Sequence, residues 1–416
     1  MESTLSRDRL AADAVVIQAG RALQMGFGLA SIVVLARALG PAEFGVFSTI
    51  VAVETAGFAL ADLGLGQLSV RAIAQRRADE ASTIRKALPY LHGAASMVLA
   101  VSCILSLALV GGTFNTAAVC LLLGSSYVHV PARIAVERGF WLGALRFGRA
   151  TMIDVTAAGL RAMAVAAVWM AGGKSLVAFA AGLAVAAVLT LLFVKAWFTY
   201  PFPEAPSAGP STVKLVLKEA VPFALTSLTW NSFTELPKIV LAPTAGTTAV
   251  GQFAAGARFL TTAYLPLQSL LLVITPRLFA FAREPRGKMP ATHPLANAAG
   301  VATLAGGGLA ALLIAFAPLV PLLLGEAYRP AVSVLRILAV SLPFQALAFA
   351  TGDWLSGVGR QQVRFVLTLV MVLLAVPALI MASKFAGPRG AAAAYTGLTA
   401  LLGLSTAVAS RRYLNP

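Results

Sequence analysis

The sequence predicts an all-α integral membrane protein with about twelve transmembrane helices. Three observations carry that prediction. Hydrophobic residues make up 59% of the 416 and charged residues only 12%, against about 25% charged in an ordinary soluble domain. Apolar runs of the roughly 20 residues needed to cross a hydrocarbon core about 30 Å thick recur along the whole chain. The runs are continuous rather than alternating, so they are expected to satisfy their backbone hydrogen bonds as helices and not as a barrel.

In order, the spans are expected at 14–37, 43–64, 89–111, 115–136, 147–171, 175–198, 214–240, 248–276, 295–324, 330–357, 361–384 and 389–410. The first follows a short polar stretch, MESTLSRDRLAADA, and outruns the apolar core of a signal peptide, about 7–15 residues; it reads as a retained span. Spans two and three are separated by a basic loop, Arg71 to Lys86. Between spans six and seven lies TYPFPEAPSAGPSTVK, with Pro201, Pro203, Pro206 and Pro210. That segment, 201–213, reads as a linker between an N-terminal bundle (1–200) and a C-terminal one (214–416). A third loop runs from Arg283 to Pro294.

Orientation follows from the basic residues. With the N-terminus cytoplasmic, 22 of the 32 Lys and Arg fall on the inner side and 5 outside, the other 5 lying within spans. The excess of inner positive charge puts both termini inside. The net charge of +16 is thus spread over short loops, where it sets topology and meets anionic headgroups. No basic domain exists to bind nucleic acid. Cys103 and Cys120 sit in apolar runs and imply no disulfide framework. His92, His129 and His293 lack metal-ligand spacing. No catalytic constellation, P-loop or cofactor motif is present. Gly64-Leu65-Gly66 follows a span and reads as a helix-end turn.

The halves resemble each other. LGPAEFGVFS (39–48) aligns with AGTTAVGQFA (245–254), placing Gly40, Gly45 and Phe47 on Gly246, Gly251 and Phe253 at an offset of 206. Arg71 and Arg277 share that offset. Gly112 with Gly325, and Trp141-Leu142 with Trp354-Leu355, fall at 213. Six spans per half is an even number, so the halves share one orientation and are expected to be related by a pseudo-two-fold axis along the membrane normal, with a site between them.

Ionisable groups inside spans are costly and usually functional. On span one Gln18, Arg21, Met25 and Gly28 share a face; Arg21 either snorkels to the inner interface or lines a cavity. Span five carries Asp154 and Arg161 two turns apart, and span seven Asn231, Glu235 and Lys238 on one face. Glu235 and Lys238 either neutralise each other or serve a cavity. Span eight aligns Arg258 with Thr262 and Ser269. Glu54, deep in span two, has no evident local partner and reads either as a titrating carboxylate or as the partner of a base on another helix. Asp62 and Asp353 lie near span ends, where caps and pairs are expected, and Arg336 near the outer boundary, where snorkelling is.

The stretch VVLARALGPAEFGVFSTIVAVETAGFALADLGLGQLSVRAIAQ (33–75) resembles the start of the polysaccharide-transporter family, the Wzx-like flippases of the multidrug/oligosaccharidyl-lipid/polysaccharide exporter superfamily. LLLGEAYRPAVSVLRILAVSLPFQAL (322–347) is similar to its second-half signature. The resemblance implies two six-helix bundles in a V around a central cavity, opening alternately to each side. It implies export of an undecaprenyl-diphosphate-linked oligosaccharide, with membrane lipids and polysaccharide polymerase and glycosyltransferases as partners, no cofactor and no enzyme activity. Cationic cavities in that family point to Arg21, Arg161, Lys238 and Arg258 as candidate contacts to a diphosphate or acidic sugars, with Gln18 and Asn231 beside them. Glu54, Asp154 and Glu235 are the candidate ion-coupling carboxylates. Competing expectations are a drug/cation antiporter of the same superfamily, a membrane transferase and a non-transporting partner of an assembly complex.

Overall fold

A computed structural model describes residues 7–75, 78–201, 210–281 and 294–412. Most of the Pro-rich linker and of the loop after Arg283 lies outside the described residues, as do the side chains of Ser269 and Arg277. Among the described residues there are helices and turns and no strand.

Membrane crossings are carried by long helices, two of which double back. α1 (Arg7–Ala61) contains spans one and two, which meet at Gly40 with φ 69° and ψ 172°. α15 (Gln361–Arg411) contains spans eleven and twelve, which meet at Ala386 and Gly387. Each reversal is a Gly-Pro step, Gly40-Pro41 and Gly387-Pro388. Glycine takes the left-handed backbone at no steric cost, and proline starts the next helix without an amide to satisfy. Single spans are α4 (Leu88–Val110), α7 (Phe147–Met170), α8 (Leu176–Trp197) and α11 (Pro294–Phe316). Span four is composite: α5 (Phe114–Gly124), a π-helix (Ser125–His129) and α6 (Val130–Gly143). Spans seven and eight are α9 (Pro210–Ala245) and α10 (Thr247–Phe281). Span ten is built from α13 (Arg329–Ala339) and α14 (Ser341–Gly357), preceded by the short α12 (Leu319–Leu324). Eight helical stretches among the described residues are long and apolar enough to cross a membrane. Two of them hold two spans each, and with α9 and α10 they make twelve crossings.

One expectation is corrected. The basic stretch from Arg71 to Lys86 is no loop. Its described residues lie mostly in α2 (Leu65–Ala74) and α3 (Ala78–Lys86). Leu65, Leu68 and Ala72 of α2 are fully buried with Ala81 and Ile84 of α3 and with Ala132, Val136 and Phe140 of α6. Gly139 and Gly143 let α2 come close: a Cβ on them would stand 2.4 Å from the Gly66 carbonyl oxygen and 2.6 Å from that of Val70. Gly64, with φ 74°, turns the chain from span two into α2, and Asp62 accepts from the Gly66 amide at 3.2 Å.

Two compact units divide the chain. The first holds Met1–Leu39 and Thr49–Asn231, the second Gly40–Ser48 and Ser232–Pro416. The border falls inside α9, because Val213, Val216 and Ala220 at its start pack into the core of the first unit.

Within the second unit the two copies of the repeated motif meet. A Cβ on Gly45 would stand 1.7 Å from the Thr247 carbonyl oxygen, and one on Gly251 would stand 2.0 Å from that of Pro41. Each glycine therefore admits the backbone that begins the other motif. Phe44 packs edge-on against Tyr328 at 6.1 Å between ring centres. Gly246, at φ 83°, turns into α10 as Gly40 turns into span two.

The later part of the repeat is displaced from the register read in the sequence. The helix-ending bond from the Arg146 amide to the Trp141 carbonyl, 2.9 Å, is matched by Arg360 to Leu355, 2.7 Å. The left-handed residues Leu145 (φ 56°) and Gly359 (φ 77°) keep step, as do Gly111 (φ 95°) and Gly325 (φ 104°). The backbone offset is 214, so the two tryptophans stand one residue out of register.

Two predictions follow from these turns. Gly45→Ala is expected to destabilise the folded protein by about 1–3 kcal/mol, the usual cost of overpacking, whereas Gly93→Ala, whose added methyl meets nothing within 4 Å, is expected to be harmless. Thermal unfolding in detergent compares them, and equal midpoints would dismiss the close approach. Leu145 is 54% exposed and left-handed, so Leu145→Gly should raise stability by roughly 1 kcal/mol; a lower midpoint would show that the leucine side chain matters more than its backbone.

Candidate functional site

In the first unit the ionisable groups form a chain along the helices. α6 and α7 are joined by a tight turn at Leu145, so residues on either side of it face each other. Arg138 and Asp154 do so: the Arg138 Nε lies 2.8 Å from Oδ1 and 2.7 Å from Oδ2 of Asp154. Arg21 from α1 lies within electrostatic range of both. Three charges, two positive and one negative, thus stand together, with net charge +1. The Arg138 side chain is 41% exposed and that of Asp154 26%. Gln18, one turn before Arg21, is exposed.

Arg161, also on α7, is occupied differently. Its Nη2 donates to the Ser126 carbonyl at 3.1 Å, and its guanidinium lies 5.1 Å from the Tyr127 ring centre. Both partners belong to the π-helix. A π-turn disturbs the regular carbonyl-to-amide ladder, and a cation is a suitable cap for a carbonyl so displaced. The same π-helix ends at His129, whose Nε2 is 3.1 Å from Nδ1 of His92, the rings stacked at 5.1 Å. Arg133 and Lys195 are near the pair. Below it, the buried Glu137 accepts from Arg133 (3.1 Å), Arg85 (3.3 Å) and the Tyr200 amide (3.0 Å), tying α3, α6 and the end of α8.

Glu54 stands apart. It is 1% exposed, and neither carboxylate oxygen has a hydrogen-bond partner. Around it are Gly124, Leu99 and the two cysteines, with the buried Ser106 beside Cys120. A bare carboxylate in such surroundings is very costly. Asn231 donates to the Thr55 carbonyl at 3.3 Å, bracing α9 on span two beside it.

In the second unit Lys238 and Glu235 are ion-paired on one face of α9. Arg258 is exposed, and its carbonyl accepts from Thr261 at 3.0 Å. A further group surrounds Asp353, which was expected to cap or pair near its span end, and Arg364 is its partner. Arg364 donates to Asp353 at 2.8 Å and lies 5.8 Å from the Phe349 ring centre. Tyr264 packs on that same ring at 5.8 Å, and Gln345 donates to the Tyr395 hydroxyl at 3.2 Å.

Asp154 and Arg161 share a helix face but not a partner. Arg138, the true partner of Asp154, is counted with the inner loops in the sequence because α6 continues to Gly143, beyond the expected end of span four. The signal for it is the short turn, which sets 138 opposite 154. The stacked histidines carry no sequence signal, since 37 residues separate them.

With this geometry the chain can be set beside known proteins. The model of the polysaccharide biosynthesis protein family matches residues 10–281, more than half of the chain. The chain belongs to that family. No curated protein matches it. Among solved structures it is similar to an inward-facing multidrug resistance MATE family transporter of the MOP superfamily, with TM-score 0.80, 19% identity and coverage of 96% of this chain and 98% of that one. The lipid II flippase MurJ, in an inward closed conformation, gives 0.77 at 13% identity, covering 95% and 87%. A MOP superfamily transporter from Pyrococcus furiosus, described as having a binding pocket of reversed polarity, gives 0.68 at 17%, covering 96% and 94%. At such identities the likeness concerns the fold, which is that of the superfamily's twelve-helix transporters.

The Arg138–Asp154 pair should behave as one unit of this family member. A double-mutant cycle with Arg138→Met and Asp154→Asn is expected to give a coupling of about 0.5–3 kcal/mol in thermal unfolding. Additive single effects would mean that the pair contributes no mutual stabilisation.

Proposed function

We propose that this family member is a flippase that moves an undecaprenyl-diphosphate-linked oligosaccharide from the inner to the outer leaflet of a bacterial inner membrane by alternating access, with both termini cytoplasmic, in concert with the glycosyltransferases and polymerase of a surface polysaccharide. The observation that carries the reading is Arg21 beside the Arg138–Asp154 pair, in a chain of the polysaccharide biosynthesis protein family. A diphosphate has to leave water to cross, and it needs counter-charge where the dielectric is low. Arg21 offers a planar fork that can hold two phosphate oxygens at once. Asp154 already holds Arg138, so an arriving diphosphate would compete with Asp154 for Arg138 while meeting Arg21. Such competition binds the anion without trapping it. Lys238 and Arg258 remain separate candidate substrate contacts, and Arg161, bound to the π-helix, is a positioning residue in this scheme.

Glu54 supplies the coupling step. A carboxylate without partners can take a proton or cation on one side and yield it on the other, linking transport to an ion gradient. The same residue is what favours the second reading, a cation or drug antiporter, since a lone buried acid is the natural counter-ion of a cationic substrate.

In proteoliposomes with a fluorescent lipid-linked oligosaccharide, Arg21→Ala is expected to lower flipping at least about tenfold at unchanged protein level, with Arg21→Lys restoring part of it, because lysine keeps the charge without the fork. Full activity of the alanine variant would remove Arg21 from the substrate site. Glu54→Gln is expected to abolish the dependence on an imposed proton or sodium gradient while leaving substrate binding intact. If wild type binds cationic dyes tightly and Glu54→Gln loses them, whereas the oligosaccharide is ignored, the antiporter reading replaces the flippase.

A further inference from the structure

A groove runs along the outside of the second unit between the two arms of α15. Val363 forms one wall; Leu401, Leu404, Ser405 and Val408 form the other; Arg412 closes one end, and the open groove holds about 540 Å³. That volume lies within the range of roughly 300–1,000 Å³ typical of ligand sites. The walls are open sideways, Leu401, Leu404 and Val408 being 47%, 52% and 57% exposed. From Leu401 to Arg412 the helix rises about 16 Å at 1.5 Å per residue. Half of a hydrocarbon core about 30 Å thick is nearly the same length. The second arm's wall is therefore about one leaflet long, apolar apart from Ser405, and basic only at the end that reaches the interface, where Val363 of the first arm faces it. Arg411 precedes Arg412 there, and Arg360 stands immediately before the start of the opposite arm.

We propose that this groove is a binding site for an anionic phospholipid of the leaflet on which α15 begins and ends, one acyl chain lying between Val363 and Val408 and the phosphate resting on Arg412. The charge complementarity at that end and the one-leaflet length argue for a resident phospholipid over a polyprenyl carrier, whose tail is far longer than the groove. Arginines at a helix C-terminus also complement the helix dipole, but the dipole needs neither a groove nor a lipid, and the test separates the two roles.

The full-length protein, purified in mild detergent, is titrated with phosphatidylglycerol, with phosphatidylcholine of the same acyl chains, and with undecaprenyl phosphate. Thermal unfolding midpoint and lipid occupancy by native mass spectrometry are read in parallel. Phosphatidylglycerol is expected to raise the midpoint further than phosphatidylcholine and to show several-fold higher occupancy. Arg412→Gln should erase that preference, Ser405→Trp should lower occupancy by both phospholipids by filling the groove, and Arg336→Gln, an exposed arginine on α13, should leave the preference unchanged. Equal responses to the two phospholipids, a preference that survives Arg412→Gln, or stabilisation by undecaprenyl phosphate alone would each overturn the proposal.

Discussion

A peptide group facing hydrocarbon has no water to bond with, and most of this molecule follows from that. Every crossing must be a helix, and every reversal must be made where few amides are left over. Hence the Gly-Pro steps in α1 and α15, where the second residue has no N–H to satisfy. Hence too the small residues where helices touch. Apolar area gains nothing by leaving lipid for protein, so packing depends on close approach. Gly45 on Thr247 and Gly251 on Pro41 are the extreme case.

Polar chemistry obeys the same constraint in reverse. Charges deep in the fold stand in groups: Arg138 with Asp154, Lys238 with Glu235, Arg364 with Asp353. The two units solve the problem with similar parts in exchanged places. In the first, the arginine is on α6 and the acid on the following span; in the second, the acid is on α14 and the arginine on the following span. Two buried acids among the described residues stand outside such ion pairs: Asp62, which accepts from the Gly66 amide, and Glu54, whose carboxylate oxygens have no hydrogen-bond partner.

Much of the fold was legible in the sequence because lipid makes the code simple. Run length gave the spans, and the glycines of the repeat gave the paired turns. What was misread has one physical source: helices here run past the membrane. α6 reaches Gly143 and carries Arg138 to Asp154, and the basic stretch after span two forms α2 and α3 because Leu65, Leu68, Ala72, Ala81 and Ile84 place an apolar stripe against α6. Of the site, single residues such as Arg21 and Glu54 could be picked out by their cost in lipid. Cross-helix partnerships such as that of Asp154 with Arg138 could not, because pairing across helices depends on rotation angles that hydropathy does not encode.

The π-helix at Ser125–His129 bears on how this lineage can vary. A π-turn holds one residue more than the α-helical turn it replaces, so it can be gained or lost by inserting or deleting a single codon. Losing it would rotate α6 by about 100° against α5, one residue's share of a turn, and carry Arg138 away from Asp154 and Glu137 away from Arg85 of α3. The segment is thus a frame marker: substitutions within it can drift, but its length is tied to ion pairs that lie two and three turns further along the chain.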